Sequence, residues 1–434
     1  MLILMAHADH WRRIGQPRGA DKGFGPPPLP LWGPRPYPIR APIWPDCRDT
    51  PWRMTHTDAL PRHFTCIDAM RGIAAIFVVM FHATRFFQDQ AGVHVVPVAP
   101  EDMPYGAWLW PAFVYGEEAV RLFWVISGFV FAHVYWNRPT TAREFAVARF
   151  ARLYPLHFVT LILVAGMQMI SLQTQGHWQI TGNNDLKHFV LQLFLLDSSL
   201  ALSDGVSFNA PIWSVSAEIF VYVLFFLCLP LTRRAPLKGS LILAMLCYGV
   251  LVIRPDGFLI GPWVFACGVF FFAGAACYAG YVGLRGAVRP LAVSVAGLIG
   301  ATVIAGLLGL HDVALLVGCC AIVMALAAME RSVQARRGVR GGMLQFLGDI
   351  SYSLYLVHMP IQILVVLIID LYFGGGRDFA ASYLTLPLFI AGSIWVAYLT
   401  NRYFEKPVGA WLRGKMQKRR TPVGGDVKGV SVGT

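Results

Sequence analysis

Two ionisable residues stand inside the apolar run Cys66–Phe87, CIDAMRGIAAIFVVMFHATRFF: Arg71 and His82. They are eleven positions apart. That is close to three helical turns, so both project from one helix face, about 16 Å apart along the axis. An ionisable group deep in a bilayer costs about 2.5–3.5 kcal/mol on insertion scales, so each implies a function and a partner elsewhere in the chain. The alternative is that Arg71 snorkels to the headgroups and His82 is a satisfied core histidine. A third such group is Glu218 in NAPIWSVSAEIFVYVLFF, about two turns inside a helix opened by Pro211, with Tyr222 one turn further on the same face. A carboxylate in that setting is protonated or paired. If the two helices enter from opposite faces, His82 lies about 21 Å in from one side and Glu218 about 10 Å in from the other. In a hydrocarbon core of about 30 Å these levels nearly coincide. A His82–Glu218 pair is therefore expected in the outer half of the bilayer, with Arg71 facing the inner half. The carboxylate would fix the imidazole tautomer, as a general base acting on a hydroxyl requires.

Four further stretches carry chemistry-bearing residues. AREFAVARFARLYPLH places Arg149 and Arg152 one turn apart, just before Pro155, which is expected to open the third span. Positive-inside bias accounts for two arginines there; their shared face also suits a docked polyphosphate. EEAVRLFWVISGFVFAH sets Glu117 and Glu118 within a turn of Arg121, and its Ser127-Gly128 pair predicts close helix packing. LGDISYSLYLVHMPI holds Ser351, Tyr352, Ser353, Tyr355 and His358, which either tie helices together or support a site. Trp108, Trp110 and Tyr115 between the first two spans form an interfacial belt or a stacking surface for a sugar ring.

The elements that position these residues follow from composition. Hydrophobic residues make up 56% of the chain and charged residues 14%, with a mean hydropathy of +0.55. A soluble domain averages about 25% charged residues, so the chain is a polytopic, all-α membrane protein. Its net charge of +12 does not imply nucleic acid, because the basic residues are dispersed among short loops. The cysteines lie mostly within apolar runs, without Cys-x-x-Cys or Cys/His ligand spacing, and read as small apolar residues rather than disulfides or a metal site.

About ten spans are expected, near 68–87, 117–136, 154–171, 210–230, 239–253, 260–280, 289–309, 312–329, 347–371 and 382–403. Basic residues concentrate in the N-terminal arm, in every second connection and in the C-terminal tail, which places both termini in the cytoplasm. Residues 1–63 are Pro-rich and basic, unfit for helix or central strand, and are read as a disordered arm or as an over-long start with Met54 the true first residue. Residues 64–407 form the transmembrane domain and 408–434 a basic cytoplasmic tail. In the long outer connection 172–209, LKHFVLQLFLLD has Phe189, Gln192, Leu193 and Leu196 at helical spacing, which predicts a helix lying along the interface.

Six of these stretches, in order, resemble the acyltransferase-3 family of integral-membrane acyltransferases that modify surface polysaccharides and related glycans. IDAMRGIAAIFVVMFH, with Arg71 and His82, looks like its first-helix signature, and FWVISGFVF like its SGF motif at Ser127–Phe129. RFARLYP resembles its basic motif at Arg149 and Arg152. IWSVSAEIFVY resembles its Trp-Ser-x-Ser-x-Glu motif at Trp213, Ser214, Ser216 and Glu218. LGDISYSLYLVHMPI and YFEKP at Tyr403–Pro407 resemble its last two helices. The resemblance spans about Phe64 to Pro407. One departure is Ile219 after Glu218, where many members have Glu or Gln.

The resemblance implies O-acyl transfer, with acetyl-CoA as the typical donor reached from the cytoplasm and a glycan acceptor on the outer side. Acyl-CoA is then a co-substrate, and no bound cofactor or metal is expected. Arg71, Arg149 and Arg152 would hold the donor's phosphates or line its entry. His82 would act as base or acyl relay with Glu218, supported by Ser127, Trp213, Ser216, Tyr222, Tyr355 and His358. The expected setting is the inner cell membrane. Some members carry a C-terminal SGNH-type hydrolase domain; this chain ends about thirty residues after Pro407, so a second, periplasmic transfer is expected to need a partner protein or not to occur. A transporter or flippase of lipid-linked sugar is the alternative. It would be favoured by internal repeats or paired broken helices, which the sequence does not display. A membrane sensor or scaffold would need no buried histidine and carboxylate.

Overall fold

A computed structural model describes residues 61, 63–88, 99–179, 183–203, 205–254, 258–284, 287–335 and 342–417. The basic arm up to residue 60, with Met54, and residues 418–434 lie outside the described residues. Among the described residues the regular elements are helices, and the only strand-like feature is an isolated bridge between Leu200 and Ile260. In chain order they are α1 (Thr65–Ala83), α2 (Gly106–Tyr115), α3 (Ala119–Tyr135), α4 (Ala142–Gln175), α5 (Leu186–Leu193), α6 (Ile212–Leu227) and α7 (Leu229–Arg234). There follow α8 (Pro236–Ile253), α9 (Pro262–Gly283), α10 (Val288–Leu307), α11 (His311–Ala335), α12 (Met343–Tyr372), α13 (Thr385–Thr400) and α14 (Lys406–Gln417).

The chain is a multi-pass membrane protein. Among the described residues eight helical segments are long and apolar enough to cross a bilayer. The other two expected spans are helices of sixteen residues, α6 and α13. Leu307 on α10 is 83% exposed and Val293 73%. Outward-facing apolar stripes of this kind suit lipid, which offers backbone and side chains no hydrogen bonds.

Several boundaries differ from those expected. The second span begins at Gly106, not 117, because α2 runs through a 3-10 turn at Gly116–Glu118 into α3. The third begins at Ala142, where Thr141 Oγ1 accepts from the Glu144 N–H at 3.3 Å and Glu144 Oε2 accepts from the Thr141 N–H at 3.0 Å. This reciprocal capping starts α4 well ahead of Pro155, which therefore lies inside the helix instead of opening it. Arg149 and Arg152 thus stand on an already formed helix. In α5 the buried residues are His188, Leu191 and Gln192, while Leu186, Val190 and Phe194 point outward. The apolar stripe expected from Phe189, Gln192, Leu193 and Leu196 is displaced because Gln192 turns inward to bond Asp197 and the Ser207 carbonyl.

Two close helix seams fix the core. Along α1 and α12, a Cβ on Gly72 would meet Leu347 at 2.5 Å, and one on Gly348 would meet the Asp68 carbonyl at 2.7 Å. Only hydrogen fits at either position, so the two backbones pack directly. Asp68 and Gly72 of α1 meet Gly348 and Leu347 of α12, and His82 further along α1 meets Gln362 further along α12, so the helices run parallel. Gly128 of α3 and Gly274 of α9 make a second such seam, against the backbone of Phe271 and Val125 respectively. Of the Ser127-Gly128 pair expected to pack closely, Gly128 does so, whereas Ser127 turns to a cavity. At the start of α1, buried Glu330 accepts from the Cys66 N–H at 2.8 Å and caps a donor that the helix cannot satisfy itself.

Candidate active site

α1, α3, α4, α6, α12 and α14 enclose a cavity of about 460 Å³. Four arginines reach its wall: Arg71 from α1, Arg149 and Arg152 from α4, and Arg413 from α14. Ser127, Glu218, Tyr222, Ser214, Ser351 and Tyr355 add to its polar lining, among Phe123, Trp124, Phe131 and Tyr352.

Each arginine is held differently. Arg152 forms a short ion pair with Glu405, a buried carboxylate in the π-turn Asn401–Glu405 between α13 and α14. The same carboxylate accepts from Ser353 Oγ at 2.5 Å and from Asn401 Nδ2 at 3.2 Å. The Arg152 guanidinium also sits 5.5 Å from the Tyr352 ring centre. Arg71 lies 3.7 Å from Asp68, one turn back on its own helix. Arg149 makes no contact ion pair among the described residues, although the Glu218 carboxylate lies within electrostatic reach. It lies 4.9 Å over the Phe131 ring and 5.9 Å from that of Tyr135, and its Nε is buried without a hydrogen bond. An arginine left in this state inside a cavity is available to an anion.

Glu218 faces this basic wall. The hydroxyls of Ser127 and Tyr222 lie against its carboxylate, with Arg71 and Arg149 within electrostatic reach, and Oε1 is buried without a hydrogen bond. Tyr222 is held in place by stacking on Phe131 at 4.2 Å.

His82 is not in the cavity wall, and the expected pair with Glu218 does not form. Its Nδ1–H donates to the Val78 carbonyl at 2.9 Å, and its ring lies 4.9 Å from that of His358 on α12. Level and azimuth both differ from those expected. Glu218 stands at the level of Arg71, in the same cavity and within its electrostatic reach, and the Gly72–Gly348 seam packs α1 on α12, where His82 meets His358. Gln362 confirms this contact by donating to the His82 carbonyl at 2.6 Å. His358 repeats the arrangement: its Nδ1–H donates to the Leu354 carbonyl at 3.1 Å, and its Nε2 is buried without a partner. Both imidazoles thus keep Nε2 as the basic nitrogen. Tyr355 joins the two halves, because its ring is 6.1 Å from His358 and its hydroxyl is 2.7 Å from Ser214 Oγ in the cavity wall.

The structure therefore gathers Arg71, Ser127, Arg149, Arg152, Glu218, Tyr222 and Tyr355 at one cavity and sets His82 and His358 behind Tyr355. Trp213 and Ser216 stand apart from its lining. Trp213 packs against Trp124 and Trp263 at 5.9 and 4.9 Å, and Ser216 is fully buried with its hydroxyl unpartnered. The sequence reading missed Glu405 and Arg413. Glu405 had a signal, an acid within YFEKP at the end of an apolar helix; Arg413 had none. Among the described residues no cluster of three or more His, Cys, Asp or Glu is placed to hold a metal ion.

Comparison with known proteins gives matching results. A family model described as "Acyltransferase domain" matches residues 64–402. "Protein 2 in picA locus" of Rhizobium radiobacter is 31% identical over 175 residues, 37% of this chain and 80% of that protein. "Exopolysaccharide production protein ExoZ" of Rhizobium meliloti is 29% identical over 255 residues, 57% of this chain and 76% of that protein. "Acyltransferase MdmB" of Streptomyces mycarofaciens is 30% identical over 181 residues, 40% of this chain and 41% of that protein. No solved structure matches.

Proposed function

The chain belongs to the acyltransferase-3 family, and from that membership we propose that it transfers an acyl group, acetyl from acetyl-CoA, to a hydroxyl of a cell-envelope or exported glycan. The observation that carries the donor half is the convergence of Arg71, Arg149 and Arg152 on one cavity. Neutral acyl groups need no such wall; the phosphates of a CoA thioester do. A volume of about 460 Å³ falls within the range of small-molecule sites, about 300–1,000 Å³, so it accepts part of so long a donor and leaves the rest at the mouth. A glycan acceptor is favoured by the name of the Rhizobium meliloti relative, an exopolysaccharide production protein.

On this reading the cavity holds the donor and the histidine pair receives the acceptor. The acceptor hydroxyl gives its proton to His82 Nε2 and its oxygen attacks the thioester carbonyl. The C–S bond then breaks, CoA leaves as a thiolate that takes up the proton, and an O-acyl ester remains. The Val78 carbonyl performs the orienting task expected of Glu218, since it holds the proton on Nδ1. Glu218, Ser127 and Tyr222 instead position the basic side chains around the donor. The inner cell membrane is the setting this chemistry calls for, with cytoplasmic acyl-CoA on one side and exported glycan on the other.

The test is transfer of labelled acetyl-CoA by membranes expressing the chain, its His82→Ala variant or its Arg149→Ala variant at matched protein levels. Donor-dependent labelling of glycan that is lost with His82→Ala and needs more donor with Arg149→Ala supports the reading. Labelling unaffected by His82→Ala removes that residue from the chemistry. No labelling with acetyl-CoA or any other acyl-CoA removes the donor assignment itself.

A further inference from the structure

α14 begins within the last expected motif, YFEKP, runs ten residues past it and lies beyond residue 402, where the family match ends. It nonetheless packs on the donor helix. Pro155 has no N–H to return to the carbonyl four residues back, so the Ala151 oxygen drops out of the α4 ladder. α14 crosses α4 there through Gly409, where a Cβ would stand 2.9 Å from that oxygen and 3.3 Å from Arg413 Nη1. Such an approach suits glycine, because any side chain would push α14 outward or displace the arginine. The far end of α14 is tied to α4 as well, with Arg143 Nη2 donating to the Met416 carbonyl at 2.6 Å. These two contacts carry Arg413 into the wall of the cavity, beside Arg149 and Arg152. Arg152 is paired with Glu405 and Arg71 with Asp68, whereas Arg413 has no carboxylate partner among the described residues.

We propose that Arg413 is a fourth contact to the donor's phosphates and that α14 is a built part of the donor site. The inference rests on the reading of this cavity as an acyl-CoA site. Arg413 is exposed, so its guanidinium in the cavity wall meets the part of a long polyanionic donor that the cavity cannot enclose. Its planar fork matches a phosphate, and its charge draws the donor in.

The experiment measures CoA binding to the purified full chain by calorimetry, at low and at high salt. Wild type, Arg413→Gln, Arg413→Lys, Gly409→Ala and Arg149→Gln are compared, each with its thermal midpoint. Arg413→Gln is expected to weaken CoA binding about tenfold, with a smaller salt dependence and an unchanged midpoint. Arg413→Lys should keep part of the affinity. Gly409→Ala, which keeps the arginine but moves its helix, should weaken binding as Arg413→Gln does. If Arg149→Gln weakens CoA binding while Arg413→Gln does not, the inference fails and the donor reading stands. If wild type binds no CoA, the donor reading fails and the inference with it.

Discussion

Arg152 on α4 and Glu405 in the π-turn after α13 form an ion pair across 253 residues of chain, at the edge of the four-arginine cavity. The carboxylate is almost fully buried and the guanidinium about one-third exposed. Ser353 and Asn401 supply further hydrogen bonds to Glu405, so the carboxylate is anchored and the arginine is the member free to respond to a ligand. The π-turn matters here. By adding a residue to one helical turn it rotates both Asn401 and Glu405 inward, and π-bulges recur at functional sites for this reason.

Removing either partner alone has different consequences. Arg152→Gln leaves Glu405 buried without its counter-charge and should cost about 3 kcal/mol, the low end for a broken buried pair because Arg152 is partly exposed. Glu405→Gln keeps the shape and releases the arginine, so it should lower stability less while raising the donor concentration needed for transfer. The double variant should recover much of the stability lost in Arg152→Gln and none of the activity. Thermal midpoints and donor titrations of the four proteins check this. A double variant that stays as unstable as Arg152→Gln would remove the pair from the account.

The arginines of the donor site were legible in the sequence because helical period sets Arg149 and Arg152 on one face and the bias of basic residues sets them, with Arg71, toward one side of the membrane. Arg71, Arg149, Arg152, Glu218 and Tyr222 each lie on a helix whose register can be counted from its own sequence. The partner of His82 was not legible. Counting depth from assumed helix ends set Glu218 beside His82 when it stands beside Arg71, and the neighbour that His82 does face depends on where the backbones touch, here the Gly72–Gly348 seam. Glu405 was obscured because an acid at the end of an apolar helix ordinarily reads as an interfacial charge, and the π-turn that buries it has no distinct pattern. Arg413 was obscured because a short basic helix after the last span reads as a tail.

Asp197, in the connection between α5 and α6, gives a pH-dependent prediction. It is fully buried and accepts from Ser203 Oγ at 2.9 Å, Gln192 Nε2 at 3.2 Å and Ser207 Oγ at 3.4 Å. Burial outweighs these bonds and pushes its carboxyl above the usual value of 3.8. The folded protein therefore binds this proton more tightly than the unfolded chain does. The resulting stabilisation is complete below the unfolded value and is lost as pH rises through the folded one. Against an Asp197→Asn variant, wild type should be relatively more stable in acid and lose that advantage towards neutral pH. Thermal midpoints of both proteins across about pH 3 to 7 test it, and a difference that is flat or grows with pH would contradict the assignment.

The α1–α12 seam gives the last prediction, because with the Gln362 bond to the His82 carbonyl it sets the distance between His82 and His358. Gly348 packs on the Asp68 backbone, which cannot yield as a flexible side chain does, so a methyl group there must part the helices. Overpacking of a close core typically costs about 1–3 kcal/mol, small enough for Gly348→Ala to insert and fold. The two rings, 4.9 Å apart, lie three to four turns along the same helices and would separate. The Arg149 side of the donor cavity, carried by α4, would be disturbed less. Gly348→Ala should accordingly lose most acyl transfer while keeping CoA binding within a few-fold of wild type. Gly166→Ala on α4 is the control, since a Cβ there has nothing within 4 Å and should leave both measurements unchanged. Equal loss of transfer and of CoA binding in Gly348→Ala would mean that the seam supports the whole bundle and not the histidine pair in particular.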